Sequence, residues 1–296
     1  MALQFKRGRD AKPEGIHLKF LVYGHSGAGK TWLAASAKNP IILLTERNGE
    51  QSVRLSNPDA PYAIVSNIEE VRDFLRAAQS GVFAEQGIDT IVVDGLTEIQ
   101  RLFKDEMIAE KGGDTEFTFA MWSDLTEKMR RMLRMLRDLP LHVVCTALAE
   151  TEMEGEIRHI FPAFQGRKLF DEVMQYFNAV GYVFKRGGDG DKPQQHFVMF
   201  DGPSRYSVKN AHPLRGTRTA PISEWIDEMV GAEMKPKAEP EGEPNPEPEG
   251  EPEAKGEAKG EAKETKPKTG VRRTRRTQKG EEADPAGDER DPSAAG

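Results

Sequence analysis

Eight consecutive residues, Gly24-His25-Ser26-Gly27-Ala28-Gly29-Lys30-Thr31, set glycines, a lysine and a hydroxyl in the order that phosphate recognition needs. The glycines let successive backbone N–H groups curl around phosphate oxygens, while Lys30 brings a positive charge to the β- and γ-oxygens. The Thr31 hydroxyl is placed to hold Mg²⁺. The whole stretch is therefore read as the binding loop for a nucleoside triphosphate. A second group must complete the metal site, and Asp94 is the natural partner: Thr90-Ile91-Val92-Val93 is an apolar strand that ends in this carboxylate. Hydrolysis also needs a group that orients or deprotonates water. The residue after the aspartate is Gly95, so that acid must come from elsewhere, and Glu46, just past the strand at 41–44, is the candidate, with Glu50 and Glu98 as alternatives. Thr146 follows a strand ending at Cys145 and is a candidate polar sensor of the γ-phosphate.

The elements that must position these groups can be read from apolar runs. Leu18 to Tyr23 feeds the loop as a strand, and Trp32 to Ala37 leaves it as a helix. Further strands are expected at Ile41–Leu44, Ala63–Val65, Thr90–Asp94 and Leu141–Cys145, with helices at Glu69–Ala78, Thr97–Glu110 and Ala120–Leu139. Strands apolar along nearly their whole length, alternating with helices, predict an α/β fold: a mostly parallel sheet covered on both faces. The pattern then changes. A hairpin is expected to turn at Glu154-Gly155, a helix at Lys168–Phe177, short strands at Ala179–Lys185, His196–Phe200 and Tyr206–Lys209, and a last helix at Ile222–Met229.

Composition sets outer limits. The chain has 296 residues and a formal net charge of −7. From Glu233 to Gly296 there are 13 Lys/Arg against 17 Asp/Glu, a net of −4, which leaves −3 for the body. Nucleic-acid contact would thus need a local patch and not a global basic field. The stretch from Glu233 alternates Pro, Glu, Gly and Lys with no aromatic residue, and is expected to be a disordered tail, with a basic block between Lys263 and Lys279. This gives an N-terminal arm at 1–15, a nucleotide-binding domain at 16–232 and a tail at 233–296. The single cysteine, Cys145, excludes an intrachain disulfide and suits a reducing cytoplasm, and no apolar run approaches a membrane span. Six histidines lack metal-ligand spacing, and no Asn-Lys pair exists to read guanine, so a zinc site and a GTPase are both unsupported. ATPases of the helical-lid type usually carry Asp-Glu at the metal strand, which Asp94-Gly95 lacks.

The chain resembles the RecA-like ATPase core proteins encoded by many bacteriophages, which act in single-strand annealing and recombination. The residues that carry the resemblance are the loop from Tyr23 to Thr31, Leu44-Thr45-Glu46, Val92-Val93-Asp94-Gly95-Leu96-Thr97 and Phe161-Pro162-Ala163-Phe164-Gln165-Gly166, over roughly Ile16 to Met229. The resemblance implies a P-loop NTPase of RecA-like type with ATP and Mg²⁺ as cofactors and catalytic roles on Lys30, Glu46 and Asp94. It also implies assembly of several copies, in which a neighbouring subunit offers a basic residue to the γ-phosphate. Lys209 is the expected one, with Arg205 and Arg215 as competitors.

The implied partner is single-stranded DNA, and the expected contact is a loop combining charge with a stacking platform: Arg158, His159, Phe164, Arg167 and Lys168. The competing reading of that loop has Phe161 and Phe164 packing it into the core. The tail is a spacer or a dock for a single-strand-binding or replication protein. Three functions follow for test: a recombination ATPase that anneals or pairs DNA, a small-molecule kinase, and a nucleotide-gated partner-binding module.

Overall fold

The computed structural model describes residues 16–113, 116–166, 169, 172–187, 195–210, 214–219 and 221–233. The chain divides into two units, Met1–Glu239 and Pro240–Gly296. The second unit, the arm at 1–15, the basic block of the tail, and Arg167 and Lys168 all lie outside the described residues.

The strands are β1 (Lys19–Gly24), β2 (Pro40–Leu44), β3 (Tyr62–Ile64), β4 (Thr90–Asp94), β5 (His142–Glu154), β6 (Ile157–Pro162), β7 (Ala179–Arg186), β8 (Gln195–Met199) and β9 (Thr217–Arg218). The helices are α1 (Lys30–Ala35), α2 (Gly49–Ser56), α3 (Ile68–Ser80), α4 (Val82–Glu85), α5 (Leu96–Ala109), α6 (Phe119–Asp138) and α7 (Ile222–Glu233). The sheet runs β3-β2-β4-β5-β1-β7-β8-β9, with β6 paired to β5. From β3 through β7 every neighbouring pair is parallel, and β7–β8, β8–β9 and β5–β6 are antiparallel. This is the mostly parallel α/β fold, with helices on both faces, that the sequence leads one to expect. Strand β5 is inserted between the loop-bearing β1 and the aspartate-bearing β4, so both strands present their carboxyl ends at one edge with β5 between them.

The pleat explains why the central strands are apolar on both sides. Leu21, Tyr23, Leu43, Ile91, Val93, Val143 and Cys145 point to one face, where α3, α5 and α6 add Phe74, Ile99 and Leu133. Phe20, Val22, Ile42, Leu44, Val92 and Val144 point to the other, against Leu33 of α1, Val53 of α2 and Trp225 of α7. Burial pushes the Cys145 thiol well above its ordinary range, which keeps it an inert core side chain. Helix α3 starts where Asn67 accepts a hydrogen bond from the Glu70 amide at 3.0 Å, and it stops at Gly81, which adopts φ +87°.

Two departures from the sequence reading concern the last third. Residues 206–209 do not form a strand: Tyr206 bridges Ile160 and Lys209 bridges Val180, so the segment divides its hydrogen bonds between two partners and never builds a ladder. Of the helix expected at Lys168–Phe177, the described part ends in a single 3₁₀ turn, Met174–Tyr176. Among the described residues, no helix is long and apolar enough to cross a membrane.

Candidate nucleotide site

Strand β1 ends at Gly24, and the loop turns immediately into α1 at Lys30. Its glycines meet separate demands. A Cβ on Gly24 would lie 2.5 Å from the Val183 carbonyl oxygen of β7, so only glycine lets the two strands pass there. Gly27 and Gly29 adopt φ of +73° and +94°, the region that L side chains avoid. A Cβ on Gly29 would also fall 2.2 Å from Nδ1 of His196. Ala28 is buried behind the loop, while His25, Ser26 and Gly27 are exposed.

The Lys30 ammonium donates to the carbonyls of Gly24 and His25, each at 3.0 Å, which holds it at the mouth of the loop. Burial pulls its pKa below the usual lysine range, and the charges of Asp94 and Glu46 oppose that pull. The Thr31 hydroxyl donates to one carboxylate oxygen of Asp94 at 2.7 Å, and the Thr146 hydroxyl donates to the other. Burial pushes the Asp94 pKa up, against the hydrogen bonds from Thr146 and Thr31 and the charge of Lys30. The Thr45 hydroxyl fixes the turn after β4, donating to Asp94 O at 3.1 Å while accepting from Gly95 N at 3.1 Å.

These groups line one cleft of about 450 Å³. It includes Ser26, Gly27, Gly29, Lys30, Thr31, Glu46, Asp94 and Thr146 from the sequence reading. Glu46 is exposed at the rim, and Glu98 also lines the cleft but pairs with Arg101 at 2.9 Å. Glu50 is not among the lining residues and accepts from Tyr62 Oη at 3.4 Å. Of the three candidate acids, Glu46 thus stands alone as a cleft carboxylate without a described ion-pair partner.

Lys209, expected to act on a neighbouring copy, does not line the cleft of its own chain. Its ammonium donates to the carbonyls of Phe177 at 2.7 Å and Met174 at 3.2 Å, and its backbone pairs with Val180 near the start of β7, toward the sheet end away from the loop. Arg205 and Arg215 are exposed and also absent from the cleft lining. Phe164 is 6% exposed and sits in the core, so it is no stacking platform, and His159 pairs with Glu154 at 3.3 Å on the β5–β6 hairpin. The loop that carries Phe164 is held inward by Gln100 of α5, which clamps both backbone groups of Gln165 at 2.7 Å.

Among the cleft residues that escaped the sequence reading, two come from the far side of the sheet. Lys185 of β7 and His196 of β8 are paired across the antiparallel hairpin, and both line the cleft. His196 stacks on Trp32 of α1 at 5.1 Å, and its Nδ1 lies 2.9 Å from the Ala28 carbonyl, so the hairpin is seated on the phosphate loop.

The donor set suits Mg²⁺: the hydroxyl of Thr31 and the carboxylate of Asp94 are hard oxygen ligands already in contact, and a lysine and glycine-supported backbone stand beside them for phosphate oxygens. A family model described as an AAA domain matches residues 16–212. Among solved structures, a KaiC-like protein from the hyperthermophilic archaeon Pyrococcus horikoshii OT3 is similar over 69% of this chain and 82% of its own, with 16% identity and a TM-score of 0.34. None of the curated proteins compared matches the chain.

Proposed function

This chain belongs to the AAA domain family of P-loop ATPases, and on that footing we propose that it is a Mg²⁺-dependent recombination ATPase that binds single-stranded DNA and promotes its annealing or pairing. The observation that carries the catalytic half is the convergence of Lys30, Thr31, Asp94 and Thr146 in one cleft beneath a glycine-supported loop. Lys30 binds the β- and γ-phosphate oxygens, exchanging its two loop carbonyls for them. Thr31 and Asp94 would hold the metal ion. Bound there, Mg²⁺ supplies charge neutralisation on the phosphate oxygens. Thr146, anchored on Asp94, stands where the γ-phosphate would be felt, and Glu46 orients the attacking water from the rim.

The DNA half rests on the resemblance carried by the loop, the Asp94 strand and the segment at 161–166. Assembly into a ring or filament, and docking of a replication partner on the tail, belong to the same proposal. The test is ATP hydrolysis by the full chain with and without a poly-dT oligonucleotide, beside Lys30→Ala. Turnover that rises with DNA and falls ~10²-fold or more in the variant is expected, from the loss of an electrostatic contact to the transferring group. Turnover indifferent to DNA but raised by a small acceptor would replace this reading with the kinase. ATP binding without turnover would replace it with the partner-binding module.

A further inference from the structure

The β7–β8 hairpin has two faces. Side chains alternate along a strand, so Val183 and Lys185 of β7 share a side with their partners Val198 and His196 of β8. That side meets the phosphate loop: the Val183 carbonyl crowds Gly24, and Lys185 and His196 line the cleft. The opposite side carries Tyr182, Phe184 and Arg186 of β7 with Phe197 of β8.

On this second side the rings form a row. Tyr206 lies 5.0 Å from Tyr182, Tyr182 stacks on Phe184 at 6.0 Å with 16° between planes, and Phe184 stacks on Phe197 at 5.8 Å with 22°. Tyr206, Phe184 and Phe197 are half-buried, whereas Tyr182 between them is buried. Guanidinium groups flank the row: Arg205 lies over Tyr206 at 5.1 Å and Arg186 over Phe184 at 5.0 Å, and both are exposed. Neither has a carboxylate within ion-pair distance among the described residues. In a chain of net charge −7, two guanidiniums without an ion pair among the described residues thus stand beside a row of rings.

We propose that the half-buried rings Tyr206, Phe184 and Phe197, backed by the buried Tyr182 and flanked by Arg186 and Arg205, are the single-stranded DNA platform, the three rings stacking bases and the arginines holding phosphates. It deepens the DNA reading above and rests on it. Aromatic steps beside positive charge are what a sequence-tolerant single-strand site needs, because every base offers a π-face and every nucleotide a phosphate. An acidic peptide would use the arginines but leave the rings without partners.

The experiment measures binding of a fluorescein-labelled dT oligonucleotide to the full chain by anisotropy across a salt series, for wild type, Arg186→Glu/Arg205→Glu and Phe197→Ser. Both arginine side chains are exposed, so the charge-reversal pair stays informative even where Phe197→Ser fails to fold. The pair is expected to bind at least about tenfold more weakly, with the slope of log K against log salt reduced by about 1.4, roughly 0.7 for each phosphate no longer neutralised. Phe197→Ser is expected to lose about tenfold, the order of one stacked base. ATP affinity by calorimetry is expected to stay at the wild-type value in both, since none of these residues lines the cleft. Wild-type affinity in the charge-reversal pair would overturn the platform while leaving the DNA reading intact. Absence of dT binding by the wild type would overturn the DNA reading and the platform with it.

Discussion

Gly29→Ala tests whether the β7–β8 hairpin is seated on the phosphate loop. The substitution adds one methyl group at φ +94°, where a side chain costs ~1–2 kcal/mol in the backbone alone. The same methyl would sit 2.2 Å from Nδ1 and 2.3 Å from Cε1 of His196, far inside contact distance. Moving that ring means giving up its stack on Trp32 and its contact with the Ala28 carbonyl, so the steric part is worth ~1–3 kcal/mol, the usual cost of overpacking. Gly29→Ala should therefore lose ~2–5 kcal/mol in urea denaturation at pH 7. In Gly29→Ala/His196→Ala the ring is gone and only the backbone part remains. The double-mutant cycle should thus show a favourable coupling of ~1–3 kcal/mol. A coupling near zero would refute the reasoning, because the cost would then come from the loop backbone with no contribution from the hairpin.

Two further outcomes concern stability. His142 accepts a hydrogen bond from Leu18 N at 3.0 Å, and burial lowers its pKa to about 4 from an ordinary 6.5, so the unfolded chain binds the proton more tightly. Its contribution is complete above pH 6.5, declines as pH falls toward 4 and levels below. At ~1.4 kcal/mol per unit it reaches at most about 3 kcal/mol, and His142→Asn, which still offers an acceptor, should flatten the stability profile between pH 6.5 and 5. Equal slopes in the two proteins would remove His142 as the source. Gln100→Leu leaves the Gln165 amide and carbonyl without their 2.7 Å partners in a part-buried setting, and a loss of ~1–2 kcal/mol in urea denaturation is expected. A loss below ~0.5 kcal/mol would mean that water takes over both bonds.

The part of the site legible in the sequence is the part built from neighbours in the chain. Gly24 to Thr31 are consecutive, and Asp94 announces itself as the one charged residue of its strand, so residue type and position suffice. Thr146 was chosen as a residue just past a strand ending at Cys145, whereas β5 continues through it to Glu154, and it is the bond to Asp94 that gives the position its chemical content. Lys185 and His196 were not legible, because nothing local links them to a loop about 160 residues earlier. Only the register of β7 against β1, with Tyr23 opposite Tyr182, carries them past the end of β1 and over the loop. The same limit explains Phe164. An aromatic in a polar segment near basic residues reads as a platform, and its burial is decided by Gln100, a polar side chain whose partner lies 65 residues away. Helix α2 escaped for a different reason: of its eight residues only Val53 and Gly49 are buried, so it has no apolar stripe to read.

The position of the ring row relative to the cleft has an energetic consequence. Phe184 and Lys185 are adjacent on one strand and face opposite ways, so any tilt of the hairpin that brings Lys185 toward a γ-phosphate also moves the row. On the nucleotide side the hairpin meets the loop through the Val183 carbonyl at Gly24 and the His196 ring on Trp32 and Ala28, while the start of β7 is laddered to β1. A ligand that tightens those contacts selects one hairpin orientation. Linkage then requires that DNA preferring the same orientation raise nucleotide affinity by the factor by which nucleotide raises DNA affinity. Such coupling needs no long relay through the core, since the two proposed ligands would share a single pleated ribbon one side chain thick.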